Sequence, residues 1–244
     1  MKRIYLVAGI ILIFGAIYAI EYYANSQFST QELVVSGISG YEIGVAQTFD
    51  YFKDEEQVGT YAYTVEESGN NFIMTSITDV TYGGRALELE SVYTFDDFYS
   101  PESYALTVIS EGDVTEIIST VSNGKIVTSV TSEGVTVDIT DEHVDGMLLL
   151  ENGMPGFWEV LFNSVELERG VKYTAIVYIP QAAMVFDVNL VISKQDQLIW
   201  VGDERLECTV INEANLELSF YMYEGELVEM RGESHGVVLQ KVLG

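Results

Sequence analysis

The chain has 244 residues, enough for one large domain or two small ones, and 48% of them are hydrophobic. It carries 38 acidic residues against 11 Lys and Arg, for a formal net charge of −27. A surface this acidic repels phosphate backbones, so we expect no nucleic-acid partner, and a single cysteine excludes an intramolecular disulfide.

The N-terminal segment 1–23 is typical of a chain that enters a membrane. Two basic residues precede the uncharged, mostly apolar run 4–20, and Tyr22 and Tyr23 follow it. Because basic residues stay on the cytoplasmic side, we expect the rest of the chain outside the cytoplasm. The run is longer than a signal-peptide core and shorter than a full span. An uncleaved single-pass anchor in the cell membrane and the cleaved signal of a secreted protein therefore both stay open.

Residues 24–57 are predicted to form a spacer and an irregular lead-in, because glycines interrupt their apolar stretches. From Val58 onward, apolar and polar residues alternate in short runs, which are separated by turn signals such as SGN, YGG and SNG. This pattern predicts an antiparallel meander rather than strands that alternate with helices.

One helix is predicted to interrupt the meander. A proline near the start, a terminal glycine and apolar residues at helical spacing indicate an amphipathic helix over residues 155–169. Its apolar stripe consists of Trp158, Leu161, Phe162 and Val165. We expect the stripe to pack on the concave side of the sheet, and these four residues are our candidate ligand-binding side chains.

The strands continue after this helix without a low-complexity linker or an internal repeat, which indicates a single β domain over residues 58–244. Left flat, so many antiparallel strands would expose edges and one apolar face. We therefore predict a mostly β fold, in which a curved antiparallel meander sheet forms an incomplete barrel and packs on the one amphipathic helix.

A serine-hydrolase pattern, G-x-S-x-G, surrounds Ser234 in the segment RGESHGVV. That chemistry needs a strand, a sharp turn and then a helix, with a histidine further along the chain. A short β-branched tail follows Gly236 instead, and His235 would point away from its neighbour Ser234. We interpret the motif as a polar turn between two late strands and expect no catalytic residues.

Metal ligands are also poorly represented. The segment 141–152 resembles a calcium loop, but His143 takes an oxygen-ligand position and Asn152 replaces the bidentate glutamate. We interpret it as a solvated acidic connection. Two histidines and one cysteine make a weak zinc set, and Cys208 lies in an alternating strand pattern, where we expect a buried small apolar side chain. We predict no metal and no cofactor.

The order of elements in the late segment resembles a known family. A helix and a pair of strands precede a short strand, a polar connection, a cysteine-containing strand and a strand that ends in YEGELVEM. This order resembles extracytoplasmic proteins related to the lipoprotein carriers LolA and LolB, and an uncharacterised periplasmic family with an incomplete barrel, over about residues 58–240. The resemblance implies a concave apolar face that holds a lipid or acyl chain. The acidic charge and the anchor in place of a lipidated cysteine depart from that family.

Taken together, these patterns predict a non-enzymatic, membrane-anchored extracytoplasmic domain. We expect it to contact the membrane through residues 4–20 and to bind an apolar ligand, either a lipid or an acyl chain, or a protein partner of the envelope. The alternative is a structural subunit of the cell surface or envelope that assembles through its sheet edges and its anchor.

Overall fold

The computed structural model describes residues 29–37, 41–151 and 154–243. The predicted anchor or signal segment lies outside these residues. Across the described ranges, no helix has both the length and the apolar character that crossing a membrane requires.

The described residues form a 17-stranded sheet and one helix, α1 (Pro155–Asn163). The strands are β1 (Ser29–Glu32), β2 (Gln47–Lys53), β3 (Glu56–Ser68), β4 (Asn71–Tyr82), β5 (Arg85–Asp96), β6 (Pro101–Ser110), β7 (Asp113–Ser122), β8 (Lys125–Ser132), β9 (Val135–Glu142), β10 (Leu148–Leu149), β11 (Val171–Ile179), β12 (Met184–Ile192), β13 (Gln197–Val201), β14 (Glu204–Glu213), β15 (Leu218–Tyr223), β16 (Glu226–Gly232) and β17 (Val237–Lys241).

The sheet is open, and most of it is antiparallel. Strands β2 to β9 pair consecutively, each with the next along the chain. On the other side of β2 the order continues through β17, β16, β15, β14, β13, β12 and β11 to β10 and β1, the last two of which run parallel to β11. Within the described residues, β9 and β1 are the two ends of this order, and they do not pair with each other. A mostly β, open sheet is therefore confirmed.

The concave face is buried in its middle and opens toward β9. Residues that oppose each other on neighbouring strands point to the same face of the sheet. The pairings from β3 to β9 therefore place one residue of each strand in a single row on the concave face. The exposed fraction is 2% at Tyr63 and Ser91 in this row, 8% at Ile117 and 55% at Val137. The sheet therefore encloses a core at β3 to β6 and leaves the concave side of β9 in solvent.

Two strands lie inside the segment 24–57, which we predicted to be a spacer and lead-in. Strand β2 pairs with both β17 and β3, so it occupies the interior of the sheet, and β1 pairs with β11. The β2–β3 turn contains Asp54 and Glu55, whose φ angles are +50° and +70°. These two acidic residues adopt the left-handed conformation that glycine usually takes in tight turns. No glycine therefore marks this hairpin in the sequence.

Helix α1 is shorter than predicted and is not amphipathic. It ends at Asn163 rather than at Arg169, because two side chains take carbonyls of its last turn. Asn163 Nδ2 donates to the Glu159 carbonyl at 2.9 Å and Ser164 Oγ donates to the Val160 carbonyl at 2.7 Å. All eight residues from Pro155 to Phe162 are buried. The sheet surrounds the helix, so the predicted polar face does not exist.

A second, smaller core lies apart from the main one. It contains Cys208 and Val210 of β14, Ile199 of β13, Tyr221 of β15 and Val228 of β16. The tip of the β13–β14 hairpin is held by β17, where the Gln240 side chain accepts from the Gly202 N–H at 3.0 Å. The prediction that Cys208 is buried as a small apolar side chain is confirmed.

Candidate functional site

A cleft of about 820 Å³ opens at one end of strands β2, β15, β16 and β17. We call it the end cleft. Its lining is apolar at the base and polar at the rim. The lining residues are Tyr51, Met154, Asn215, Leu216, Glu217, Leu218, Met230, Gly232, Ser234, His235 and Val237.

The strand registers explain why the base of the end cleft is apolar. Leu239 opposes Tyr51 on one side and Met230 on the other, and Gly232 opposes Val237. Leu239 is fully buried in the main core, so the side chains that share its face point to the concave side. The glycine leaves open the space that a side chain would otherwise fill.

Met154, which precedes the first residue of α1, joins the helix to the end cleft. It is 8% exposed, and its sulfur accepts from the Thr78 hydroxyl at 3.6 Å. The start of the helix is therefore fixed against β4 at the point where the cleft begins.

The rim of the end cleft is formed by turns that are tied to each other. The Glu233 N–H donates to the Glu217 carbonyl at 3.0 Å, which joins the β16–β17 turn to the β14–β15 turn. The Asp54 N–H donates to the Gly236 carbonyl at 2.8 Å. Lys53 donates to the His235 carbonyl and lies 3.6 Å from the Asp54 carboxylate. Of the acidic residues in these turns, Glu217 lines the end cleft, whereas Asp54 and Glu233 line a separate pocket together with Arg231.

The G-x-S-x-G motif lies on this rim. Ser234 and His235 belong to the turn between β16 and β17, and the His235 N–H donates to the Gly232 carbonyl at 3.1 Å. The interpretation as a polar turn between two late strands is confirmed. The sequence did not reveal that both residues face a cleft, because the cleft exists only once β17 pairs with β2. The paired residues of these two strands, from Val237 with Lys53 to Lys241 with Phe49, lie 184 to 192 positions apart in the sequence.

The four predicted ligand-binding residues lie elsewhere. Trp158, Leu161 and Phe162 are 1%, 1% and 8% exposed and belong to the main core, and Val165 is half-buried beyond the end of the helix. The ring centroids of Trp158 and Phe220 are 4.6 Å apart. The structure therefore brings three of the four together as packing residues, and none of the four lines the end cleft.

A buried carboxyl group, Glu151, lies on the concave face and was missed by sequence reasoning. The side chain is 2% exposed, and its carboxylate accepts from the Ser91 hydroxyl at 2.9 Å, while Ser76 and Ser91 share a hydrogen bond of 2.7 Å. Burial raises the pKa of Glu151 to about 7, against the smaller lowering effect of hydrogen bonds from Ser91 and Tyr104. The group is thus poised to change its charge near neutrality.

The segment 141–152 is a solvated acidic connection only in its first half, where Glu142 and residues 144–146 are exposed, and it differs from that prediction in its second half. The four residues from Met147 to Leu150 are buried together with Glu151. Among the described residues, no group of three His, Cys, Asp or Glu side chains is arranged to hold a metal ion. Four consecutive apolar residues before the glutamate are the sequence signal that could have indicated burial here.

A second buried acid, Glu159, anchors the helix to the sheet. Its carboxylate accepts from the Tyr63 hydroxyl at 2.6 Å and lies 3.3 Å from Lys241 Nζ, which also pairs with Glu226 at 2.9 Å. The Leu227 N–H donates to the same carboxylate at 3.3 Å. Burial raises the pKa of Glu159, and the charge of Lys241 opposes that shift. This polar set fixes α1 and offers no open space for a substrate.

The comparisons with known proteins indicate a fold and no activity. No protein-family profile and no curated protein matches the chain. A crystal structure of a β-barrel-like protein from Brucella abortus, of domain of unknown function DUF1849, matches with a TM-score of 0.52 and 12% identity, over 81% of this chain and 94% of that one. A DUF1089 family protein from Pseudomonas aeruginosa matches with a TM-score of 0.41 and 10% identity, over 70% and 89% of the two chains. The first likeness shows that this chain has a β-barrel-like fold.

Proposed function

We propose that this protein is a non-enzymatic binding domain that holds an apolar ligand, a lipid or acyl chain, in the end cleft. The observation that carries this proposal is the cleft of about 820 Å³ with its apolar base. Volumes of about 300–1,000 Å³ are typical of small-molecule sites. In the same proposal, the predicted anchor keeps the domain outside the cytoplasm and beside a membrane, where such ligands are abundant.

The chemistry of the lining supports binding rather than turnover. The base consists of hydrocarbon, aromatic and thioether side chains, and the polar groups are confined to the rim. Such a base stabilises a buried chain by about 25 cal/mol for each Å² of apolar surface removed from water. The resemblance to lipoprotein carriers, which hold an acyl chain inside an incomplete barrel, is consistent with this function and is part of the proposal.

The test is photo-crosslinking on the full chain in nanodiscs of a neutral lipid. A neutral, maltoside-headed 12-carbon amphiphile with a diazirine on its chain should label peptides that carry Leu218, Met230 or Val237. The variant Gly232→Phe should abolish this labelling, because a Cβ built at Gly232 meets only ordinary contacts of 3.8–4.0 Å and the ring then occupies the cleft.

A matched control adds the same ring to the convex face. Thr120 is exposed on β7 and points away from the concave side, so Thr120→Phe should leave the labelling unchanged. Labelling that is spread over the surface, or that survives Gly232→Phe, would remove the end cleft as the binding site.

A structural assembly subunit is the second candidate, and β9 is the observation that favours it. Val135, Val137 and Ile139 are 65%, 55% and 37% exposed, on a strand whose outer edge has no partner in the described residues. Long exposed edges with β-branched side chains are sites of strand addition. Ordered oligomers of the extracted full chain that dissociate on Val137→Lys would favour this function over ligand binding.

A further inference from the structure

We propose that the free edge of strand β13 binds an extended, basic segment of a partner protein, which adds a strand to it. The site is a groove of about 970 Å³, which we call the edge groove, between β13 and the strands β2, β16 and β17. Phe52 and Val238 oppose each other in its lining and alternate with the concave-facing Tyr51 and Leu239. The edge groove therefore lies on the convex face, and this inference goes beyond the proposed function.

The register of the β13–β14 hairpin shows which backbone groups point into the edge groove. In the described residues, β13 pairs with residues 204–208 of β14, while β12 pairs with residues 211–213 of that strand. The Trp200 carbonyl accepts from Gln240 of β17, so the backbone groups of Trp200 point away from β14. Because this direction alternates along an antiparallel strand, the N–H and carbonyl of Leu198 point the same way.

The side-chain amide of Gln240 already occupies one end of this edge in the manner of a neighbouring strand. Its Nε2 donates to the Trp200 carbonyl at 2.8 Å, and its Oε1 accepts from the Gly202 N–H at 3.0 Å. A backbone N–H and carbonyl of an added strand would make the same two hydrogen bonds. The buried Glu229 holds the amide in place by accepting from Nε2 at 2.7 Å. The Leu198 N–H and carbonyl and the Trp200 N–H continue the edge beyond it.

The side chains around this edge suit the alternating side chains of an added strand. Leu198 and Trp200 are 56% and 62% exposed, and they alternate with Ile199, which is buried in the second core. Phe52 and Val238 are half-buried in the groove beside them. Apolar neighbours on adjacent strands stabilise a sheet, and strand addition combines such contacts with backbone hydrogen bonds. An extended segment with apolar residues would therefore cover exposed apolar surface here.

The charges of the lining favour a basic segment. Arg231 lines the groove but already donates to the buried glutamate at 2.6 Å, and Asp54 lies 3.6 Å from the ammonium group of Lys53. Glu55 and Glu233 line the groove as well, are exposed, and form no ion pair within the described residues. A basic side chain of the segment would pair with these two carboxylates, whereas an acidic one would be repelled.

The experiment uses the full chain in nanodiscs of neutral lipid and two fluorescent peptides with capped ends. One is Lys-Val-Thr-Val-Thr-Val-Lys, and the other has glutamate in place of both lysines. We expect the lysine peptide to bind about tenfold more tightly at low ionic strength, measured by fluorescence anisotropy, with a smaller difference at high ionic strength. Its binding should also slow hydrogen exchange in the segment 197–201, because the Leu198 and Trp200 N–H groups then donate to the peptide.

A proline variant tests the backbone edge itself. Leu198→Pro removes an N–H that β14 does not use, and proline is tolerated at such edge positions. It should weaken binding of the lysine peptide about tenfold, because a peptide carbonyl loses its donor. The matched control Leu198→Ala keeps the N–H and should stay within about threefold of the wild type. If Leu198→Pro does not fold, hydrogen exchange in the wild type decides alone.

Two double variants assign the charge preference to the edge groove. Glu55→Gln with Glu233→Gln should bring the two peptides to within about threefold of each other. Glu90→Gln with Glu116→Gln removes two exposed acids from β5 and β7 and should leave the preference unchanged. This control separates pairing in the groove from the general attraction of a chain with a net charge of −27.

The contrary outcomes are distinct from failure of the end cleft. Peptide binding without slower exchange in 197–201, equal binding to the wild type and Leu198→Pro, or no binding of either peptide overturns strand addition. Slow exchange that appears without peptide and grows with chain concentration would show that a second copy takes the edge, which also overturns the proposal. Equal binding of both peptides, or a preference that both double variants lose alike, overturns the basic segment. Labelling of the end cleft stays as it is in each case.

Discussion

At the scale of single residues, the buried polar groups on the concave face need the most explanation. Glu151 is held among hydroxyl groups of Ser76 and Ser91 and is almost fully buried. An ionised carboxylate in such a place loses its hydration, so the protonated form is favoured up to a pH of about 7. Its proton therefore links folding to pH.

Glu151→Gln tests this link. Because the pKa is raised in the folded state, the folded chain holds the proton more tightly than the unfolded chain does. Its contribution to stability is complete below about pH 4.5 and is lost as the pH rises through about 7. That loss amounts to about 3 kcal/mol at 1.36 kcal/mol per pKa unit. The free energy of unfolding, measured with urea at pH 5 and at pH 8, should therefore fall less between these pH values in the variant than in the wild type.

Glu90→Gln is the matched control, since Glu90 is an exposed acid on the same strand as Ser91. It removes one acidic side chain as well, and its free energy of unfolding should decline with pH as that of the wild type does. An equal decline in the Glu151→Gln and Glu90→Gln variants would show that the background charge, and not the buried carboxyl group, sets the pH dependence.

Gly156 is a second residue on which the core depends. A Cβ at this position would lie 2.6 Å from the Tyr61 hydroxyl oxygen and 2.8 Å from Tyr63 Cγ. Gly156→Ala should therefore cost about 1–3 kcal/mol of unfolding free energy despite the better helix propensity of alanine. At Gly232 an added Cβ meets only ordinary contacts. Gly232→Ala should therefore change the free energy of unfolding little in the same denaturation series. Equal effects would contradict the close approach of α1 to β3.

At the scale of elements, α1 is a buried core helix rather than an amphipathic surface helix. Its apolar residues pack on the sheet, and its one acid is paired with Lys241 of β17. The sequence correctly indicated a helix starting at Pro155 with Trp158 and Leu161 facing apolar neighbours. It could not indicate that the other side is buried too, because the groups that satisfy Glu159 come from strands distant in the chain.

The pair between Lys241 and Glu159 should show strong coupling. Lys241→Met leaves the buried carboxylate without its positive partner, which should cost about 3–5 kcal/mol. Adding Glu159→Gln removes that charge and should restore much of the loss, because an amide still accepts from the Leu227 N–H. A double-mutant cycle from urea unfolding measures the coupling energy, and additive effects would contradict a buried ion pair.

Trp158 provides the contrast between packing and binding. Its ring packs on Phe220 in the main core and is not part of the lining of the end cleft, so Trp158→Ala should cost about 3–5 kcal/mol of unfolding free energy. In conditions where the variant stays folded, labelling of the cleft peptides by the neutral probe should persist. If the folded variant instead lost labelling and lost little stability, Trp158 would be a ligand-binding residue, as the sequence predicted.

At the scale of the whole molecule, local signals predicted the meander but not the site. Strands β4 to β9 follow the alternation and the glycine-marked turns of the sequence, as at Gly124 and Gly134. Strand β2 was missed because Asp54 and Glu55 form its turn without glycine. The end cleft joins Tyr51 and Val237, which sheet pairing brings together, with Met154, which the packing of α1 against the sheet adds. No local pattern encodes such a cleft.

The central claim is that the end cleft holds the chain of an amphiphile, and native mass spectrometry of the gently extracted full chain tests it most directly. We predict one co-purified amphiphile for each chain in the wild type, its loss in Gly232→Phe and its retention in Thr120→Phe. A wild-type chain that is free of any such adduct, or an adduct that Gly232→Phe retains, would contradict the account.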